Sequence, residues 1–119
     1  MNCLNSTINE GHLTKDPDQT YTTKGTAVTR FTIASNRYFE QDGERKEEVG
    51  YFDVETWGRL AETCGEYLKK GRGVRVVGRL KQDRWNQNGQ SRSKIIIVAE
   101  HVEFRSKPKN ETDEYANAG

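Results

Sequence analysis

The chain has 119 residues, 32% hydrophobic and 31% charged, with a formal net charge of only +1. That composition gives one domain of common size with a lean core, and it argues against a helical membrane span, because no stretch approaches the ~20 apolar residues one requires. Met1-Asn2-Cys3-Leu4-Asn5-Ser6 has neither the charged-then-apolar layout of a signal peptide nor an Arg-rich presequence, so a cytoplasmic location is expected.

Five strands are expected, with one helix between the third and fourth. The first spans about Leu4 to Thr14 and ends at the turn Asp16-Pro17-Asp18; it is unusually polar. The second runs from Thr26 to about Phe39 on Val28, Phe31, Ile33 and Ala34. Residues 40–47 form a charged hairpin tip around Asp42-Gly43, a turn signal, before a third strand from Glu48 to Trp57. The stripe Leu60, Ala61, Cys64, Tyr67 and Leu68 predicts a helix to about Lys70, stopped by Gly71. Cys64 on that stripe is read as a small core hydrophobe, and neither it nor Cys3 has metal-ligand spacing.

The fourth strand, Val74 to Lys81, carries the clearest signal. From Lys69 to Lys94 there are nine basic residues against one acid, Asp83, a net +8 inside a nearly neutral chain. Side chains alternate faces along a strand. Val74, Val76 and Leu80 share one face; Arg75, Arg79, Lys81 and Trp85 share the other, with Val77 as the apolar break. Clustered positive charge attracts phosphates, and an exposed indole offers a surface for a base. A solvated strand face whose Trp caps a barrel end is the alternative. After the Asn88-Gly89 turn, the fifth strand, Ile95-Ile96-Ile97-Val98, is apolar on both faces; a barrel fills one, and a second subunit is expected to cover the other. The segment from Arg105 on is polar and expected to be disordered. The layout is all-β: a five-stranded OB-fold barrel over residues 1–104 followed by a short tail.

Signs of catalysis are few. His12 and His101 have no nucleophile signature near them, and the glycines match no phosphate-loop or dinucleotide pattern, so neither enzyme nor cofactor nor metal is expected. Aromatics are more informative. Tyr51, Asp53, Glu55 and Trp57 share one face of the third strand, opposite Phe52 and Val54. Aromatics on wet strand faces beside a basic strand suit a flexible single strand whose bases splay out to stack.

Over Met1 to Phe104 the chain resembles the bacterial-type single-stranded DNA-binding protein family. The matching pieces are Gly11-x-Leu13-Thr14-Lys15-Asp16-Pro17, Gly25-x-Ala27-Val28-x-x-Phe31, Ile33-Ala34-x-Asn36-Arg37, Trp57-Gly58-Arg59-Leu60-Ala61-Glu62, Tyr67-Leu68-Lys69-Lys70-Gly71, Gly78-Arg79-Leu80 and the basic run into Trp85. The resemblance implies base stacking on Phe39, Tyr51, Trp57 and Trp85. It implies phosphate contacts from Arg59, Lys69, Lys70, Lys81, Arg84 and Arg92. Arg37, Arg75 and Arg79 join that set as expected phosphate holders. The strand parity of Phe39 matches the apolar Phe31 and Ile33, so a bulge or an extension beyond the barrel is needed to expose it.

Three departures from the family's pattern stand out. Tyr51 and Phe39 replace what are often tryptophans. Asp53 and Asp83 stand where basic residues are common, which lowers the affinity expected. The long Gly/Pro/Gln-rich tail with an acidic, hydrophobic recruiting tip is missing, as in a tail-less paralogue or a shortened chain. The resemblance implies sequence-independent binding of single-stranded DNA in replication, recombination and repair, by a bacterial, nucleoid-associated homotetramer with the Trp85 face outward. An OB-fold primosomal or replication adaptor that mainly contacts proteins is the competing reading.

Overall fold

The computed structural model describes residues 1–105; the expected disordered tail, from 106 on, lies outside the described residues. Six strands and one helix run in the order β1 (Thr7–Leu13), β2 (Asp18–Tyr21), β3 (Ala27–Gln41), β4 (Glu44–Trp57), α1 (Gly58–Tyr67), β5 (Gly73–Gln87) and β6 (Gln90–Phe104). The sheet order is β1-β5-β6-β4-β3-β2, and β1 also pairs with β3 at His12 and Leu13. That second pairing closes five strands into an OB-fold barrel. The sixth, β2, is a short exposed ribbon on β3 that follows the Asp16-Pro17 turn and that periodicity did not single out.

Two features lengthen the strands beyond their expected bounds. The 40–47 tip is strand almost throughout: β3 and β4 pair without interruption from Val28↔Trp57 to Gln41↔Glu44. Only Asp42 and Gly43 turn, both at positive φ (54° and 78°), as a two-residue hairpin with right-handed strand twist demands. Likewise β5 and β6 pair out to Gln87↔Gln90. The fold is therefore a barrel with two long hairpin arms.

The interior holds Leu13, Phe31, Ile33, Val54, Val74, Val76, Ile97 and Val102, with Cys64 and Leu68 from the helical segment. Burial pushes the Cys64 thiol up to about 11, as fits a core hydrophobe. The helix ends at Tyr67, earlier than its apolar stripe suggests, and Tyr67 is exposed. Two buried threonines fasten the helix end of the barrel: Thr29 Oγ1 donates to the Ala61 carbonyl at 2.6 Å, and Thr56 Oγ1 to the Thr29 carbonyl at 2.9 Å.

The fifth expected strand requires a correction. Ile96 and Val98, on the face thought to need a second subunit, are already buried within the single chain; only Ile95 is exposed. The cover comes from neighbours on the outward face. Val98 shares a recess with Trp57, Leu60, Arg79 and Lys81, and Ile96 borders a narrow cavity whose lining includes Arg30 and Lys94. Long cationic side chains shield apolar surface with their methylenes while their charges stay in water.

Candidate nucleic-acid interface

Residues paired across neighbouring strands point to the same side of a sheet. On the outward side the pairs are Val28↔Trp57, Arg30↔Glu55, Thr32↔Asp53 and Ala34↔Tyr51 between β3 and β4, and Glu55↔Val98 between β4 and β6. They continue as Arg79↔Val98, Lys81↔Ile96, Asp83↔Lys94 and Trp85↔Arg92 between β6 and β5. One continuous face thus carries Tyr51, Trp57 and Trp85, which are 68%, 43% and 42% exposed. Arg79, Lys81 and Arg92 stand on it too and make no ion pair among the described residues.

Trp57 is fixed from both sides in the chain. It is the last residue of β4 and the N-cap of α1, with extended backbone before Gly58 turns at φ 66°. Its indole Nε1–H donates to Glu55 Oε1 at 3.0 Å. Glu55 is buried; its Oε2 accepts from Arg30 Nε at 3.1 Å and forms an ion pair with Arg30 Nη2 at 3.1 Å. A buried carboxylate holding an arginine and an indole sets the tilt of the Trp57 ring before any ligand arrives. Trp57, Arg79 and Lys81 then line a shallow recess of about 440 Å³, an aromatic wall beside two cations.

The other expected residues are placed differently. Phe39 and Arg37 have inward parity, and no bulge interrupts β3–β4. Phe39 is partly exposed because the arm runs past the barrel, with the Arg37 guanidinium 4.7 Å from its ring centroid. Arg37 also pairs with Glu48 at 3.0 Å. Arg84 has the parity opposite to Trp85 and donates to Gln82. Arg75 has outward parity but lies on the stretch of β5 that pairs with β1, held by Glu10 at 2.6 Å and Glu103 at 3.5 Å. That contact lowers the Glu10 carboxyl and raises the guanidinium, chiefly through their hydrogen bond. Arg59 is on the exposed helix face, and Lys69 and Lys70 occupy the loop beside Asp16, whose Oδ1 accepts from the Lys70 amide.

Arg30 and Tyr38 were not singled out in the sequence, and Lys94 was counted in the basic segment but not among the expected site residues. Strand parity could have found all three, since each alternates with inward residues. Tyr38 is exposed on the β3 arm with the Arg45 guanidinium 5.4 Å from its centroid. Lys94 Nζ donates to Asp53 Oδ2 at 3.1 Å, and Thr32 Oγ1 to Asp53 Oδ1 at 2.7 Å. The Thr32 hydrogen bond, with Lys94 behind it, holds the Asp53 carboxyl below the usual range despite partial burial.

An OB-fold barrel whose outward sheet face joins aromatics to unpaired cations defines a class of protein: a binder of extended single strands. The comparisons narrow the class. Residues 4–105 match the model of the Single-strand binding protein family, and the chain belongs to that family. It is 44% identical over 101 residues to the single-stranded DNA-binding protein of Treponema pallidum, covering 85% of this chain and 57% of that one. Identity is also 44% over 107 residues to the protein of that name from Aquifex aeolicus, covering 89% and 73%. Among solved structures, a Plasmodium falciparum SSB in complex with ssDNA superposes at a TM-score of 0.82 with 23% identity, covering 89% of this chain and 98% of that one. A deletion mutant of the Thermus aquaticus single-stranded DNA binding protein superposes at 0.78 with 33% identity, covering 87% and 51%.

Proposed function

We propose that this chain binds single-stranded DNA on its outward sheet face without chemistry and with little dependence on sequence, protecting exposed strands in replication, recombination and repair. The observation that carries the reading is the shared face of Tyr51, Trp57 and Trp85 with Arg79, Lys81 and Arg92. Bases stack on the aromatics, and the cations hold the phosphates that run between them. Tyr38 extends the stacking path along the outward side of the β3 arm, and Phe39, on the arm's other side, lies off it. Arg37 and Arg75, already neutralised by carboxylates, contribute less than the three unpaired cations, and Arg59, Lys69, Lys70 and Arg84 lie off the path. Relatives from bacteria support a cytoplasmic site of action beside the nucleoid. No observation favours the adaptor reading over this one.

The protein acts as a homo-oligomer, a tetramer in our reading. Support comes from β1, whose Thr7–Glu10 stretch pairs with β5 on one side only, and from Ile8 exposed beside it. An open strand edge next to exposed apolar side chains is a template for a second copy.

Salt dependence tests the binding reading. Each phosphate neutralised on a single strand contributes about −0.7 to the slope of log K against log salt. Three unpaired cations per protomer therefore give a slope of about −2 per bound protomer. Lys81→Ala should flatten it by about 0.7. A slope near zero would remove the phosphate contacts from the account.

A further inference from the structure

The centre of the outward face is not uniformly basic. Between β3, β4, β5 and β6 lies a cavity of about 170 Å³ with an apolar floor that includes Ile96 and a charged rim of both signs. Its rim carries Lys15, Arg30 and Lys94 against Asp18, Asp53, Asp83 and Glu55, three positive charges against four negative. Lys94 is engaged by Asp53, and Arg30 by Glu55. Asp83 stands opposite Lys94 in the β5–β6 register and makes no ion pair among the described residues. A phosphate entering here would meet a net negative rim. A neutral base edge would meet an apolar floor and alternating donors and acceptors.

The alternation is selective. Asp53 is 43% exposed at its side chain and retains acceptor capacity beyond the bonds from Thr32 and Lys94, because a carboxylate accepts about four. Asp83 adds a second acceptor, and the Lys94 ammonium between them has three donors. The pairing edge of cytosine offers an amino donor beside two acceptors, which this rim matches: carboxylate to the N4 amino group, ammonium to N3 or O2. Thymine presents its O4 acceptor where cytosine has the amino group, and it would face a carboxylate. The volume, the share of about six waters in liquid, suits one single-ring base.

We propose that this cavity receives the pairing edge of a cytosine, and that Asp53 and Asp83 favour cytosine over thymine at this one base position, while the rest of the outward face takes any base. The proposal rests on single-strand binding through this face. The test is fluorescence titration with dC and dT oligonucleotides of equal length and at equal salt, using the wild-type chain, Asp53→Asn, Asp83→Asn and the double variant. The quantity read is the ratio of Kd for dT to Kd for dC, since any intrinsic difference between the oligonucleotides cancels between proteins. Asn offers donor and acceptor alike, so the ratio should fall about tenfold in the double variant, with each single variant in between. Asp83→Asn removes no hydrogen bond or ion pair among the described residues and keeps the test valid if Asp53→Asn is unstable. Equal tightening for both oligonucleotides with the ratio unchanged would overturn the proposal, because the carboxylates would then only repel phosphate. Failure of the wild-type chain to bind either oligonucleotide would overturn single-strand binding itself and this proposal with it.

Discussion

Glu55 and Trp57 show how a single buried charge prepares a binding surface. The carboxylate is out of water, which is costly unless it is fully hydrogen-bonded. Arg30 and the Trp57 indole supply those bonds, so the stability of the sheet and the pose of the ring are set by the same atoms. Trp57→Ala and Trp85→Ala should each weaken single-strand binding by ~1–3 kcal/mol, the range for a lost base–aromatic stack, and each remaining Trp should still be quenched by DNA. Stability should fall by less than the ~3–5 kcal/mol of a core Trp→Ala, since both rings are over two-fifths exposed. Glu55→Leu should weaken binding by about 1 kcal/mol, the order of one hydrogen bond. In a Trp57→Ala background it should weaken binding no further, because the two residues then act through one ring. Additive losses in that cycle would show that Glu55 does not act through Trp57. Trp57 and Trp85 were legible in the sequence because parity alone puts an aromatic among charges. Glu55 was visible on the same face, but nothing in a sequence distinguishes a solvated glutamate from a buried one.

At the scale of the element, a bulge in β6 sets which of its apolar residues reach the core. From Val77↔His101 to Gly78↔Ala99 the partner moves by two while β5 advances by one, so Glu100 is the extra residue. The bulge turns Val102 inward on one side and Ala99 and Ile97 inward on the other. Without it, one of those sets would face solvent. Parity counted straight through the strand cannot register such a shift. Gly78 sits at this point, and a Cβ there would lie 2.1 Å from the Val98 carbonyl oxygen. Gly78→Ala should therefore destabilise the fold by about 1–3 kcal/mol, the cost of overpacking, as measured by urea denaturation. A change within ~0.5 kcal/mol, as at an ordinary surface site, would mean that β5 and β6 are not locked together there. The hairpin arms were half legible. Asp42-Gly43 and Asn88-Gly89 marked the turns, but charged residues 40–47 read as loop because they have no core to face. Backbone pairing extends them as strand regardless of their polarity, and this is what carries Phe39 clear of the barrel.

For the whole molecule, a net charge of +1 conceals a strongly uneven distribution. Acidic residues on the β3–β4 arm balance cations on β5 and β6, and ion pairs such as Arg75–Glu10 and Arg37–Glu48 remove others from play. The concentration of positive charge was plain in the sequence; which cations stay unpaired was not, because that depends on strand register. The proposed assembly would use the open edge of β1. Light scattering at micromolar concentration should give four times the chain's 13.6 kDa, and a mass near 13.6 kDa would contradict the oligomer. The central claim is that the outward face takes a splayed single strand, which a duplex with its bases stacked inside cannot imitate. Competition between a single-stranded oligonucleotide and its own duplex for the wild-type chain, followed by tryptophan quenching at moderate salt, tests this most directly. The account predicts strong quenching and a preference of at least about a hundredfold for the single strand, the equivalent of two stacked bases at ~1.4 kcal/mol each. Equal affinity for the two, or binding of the single strand with no quenching, would contradict it.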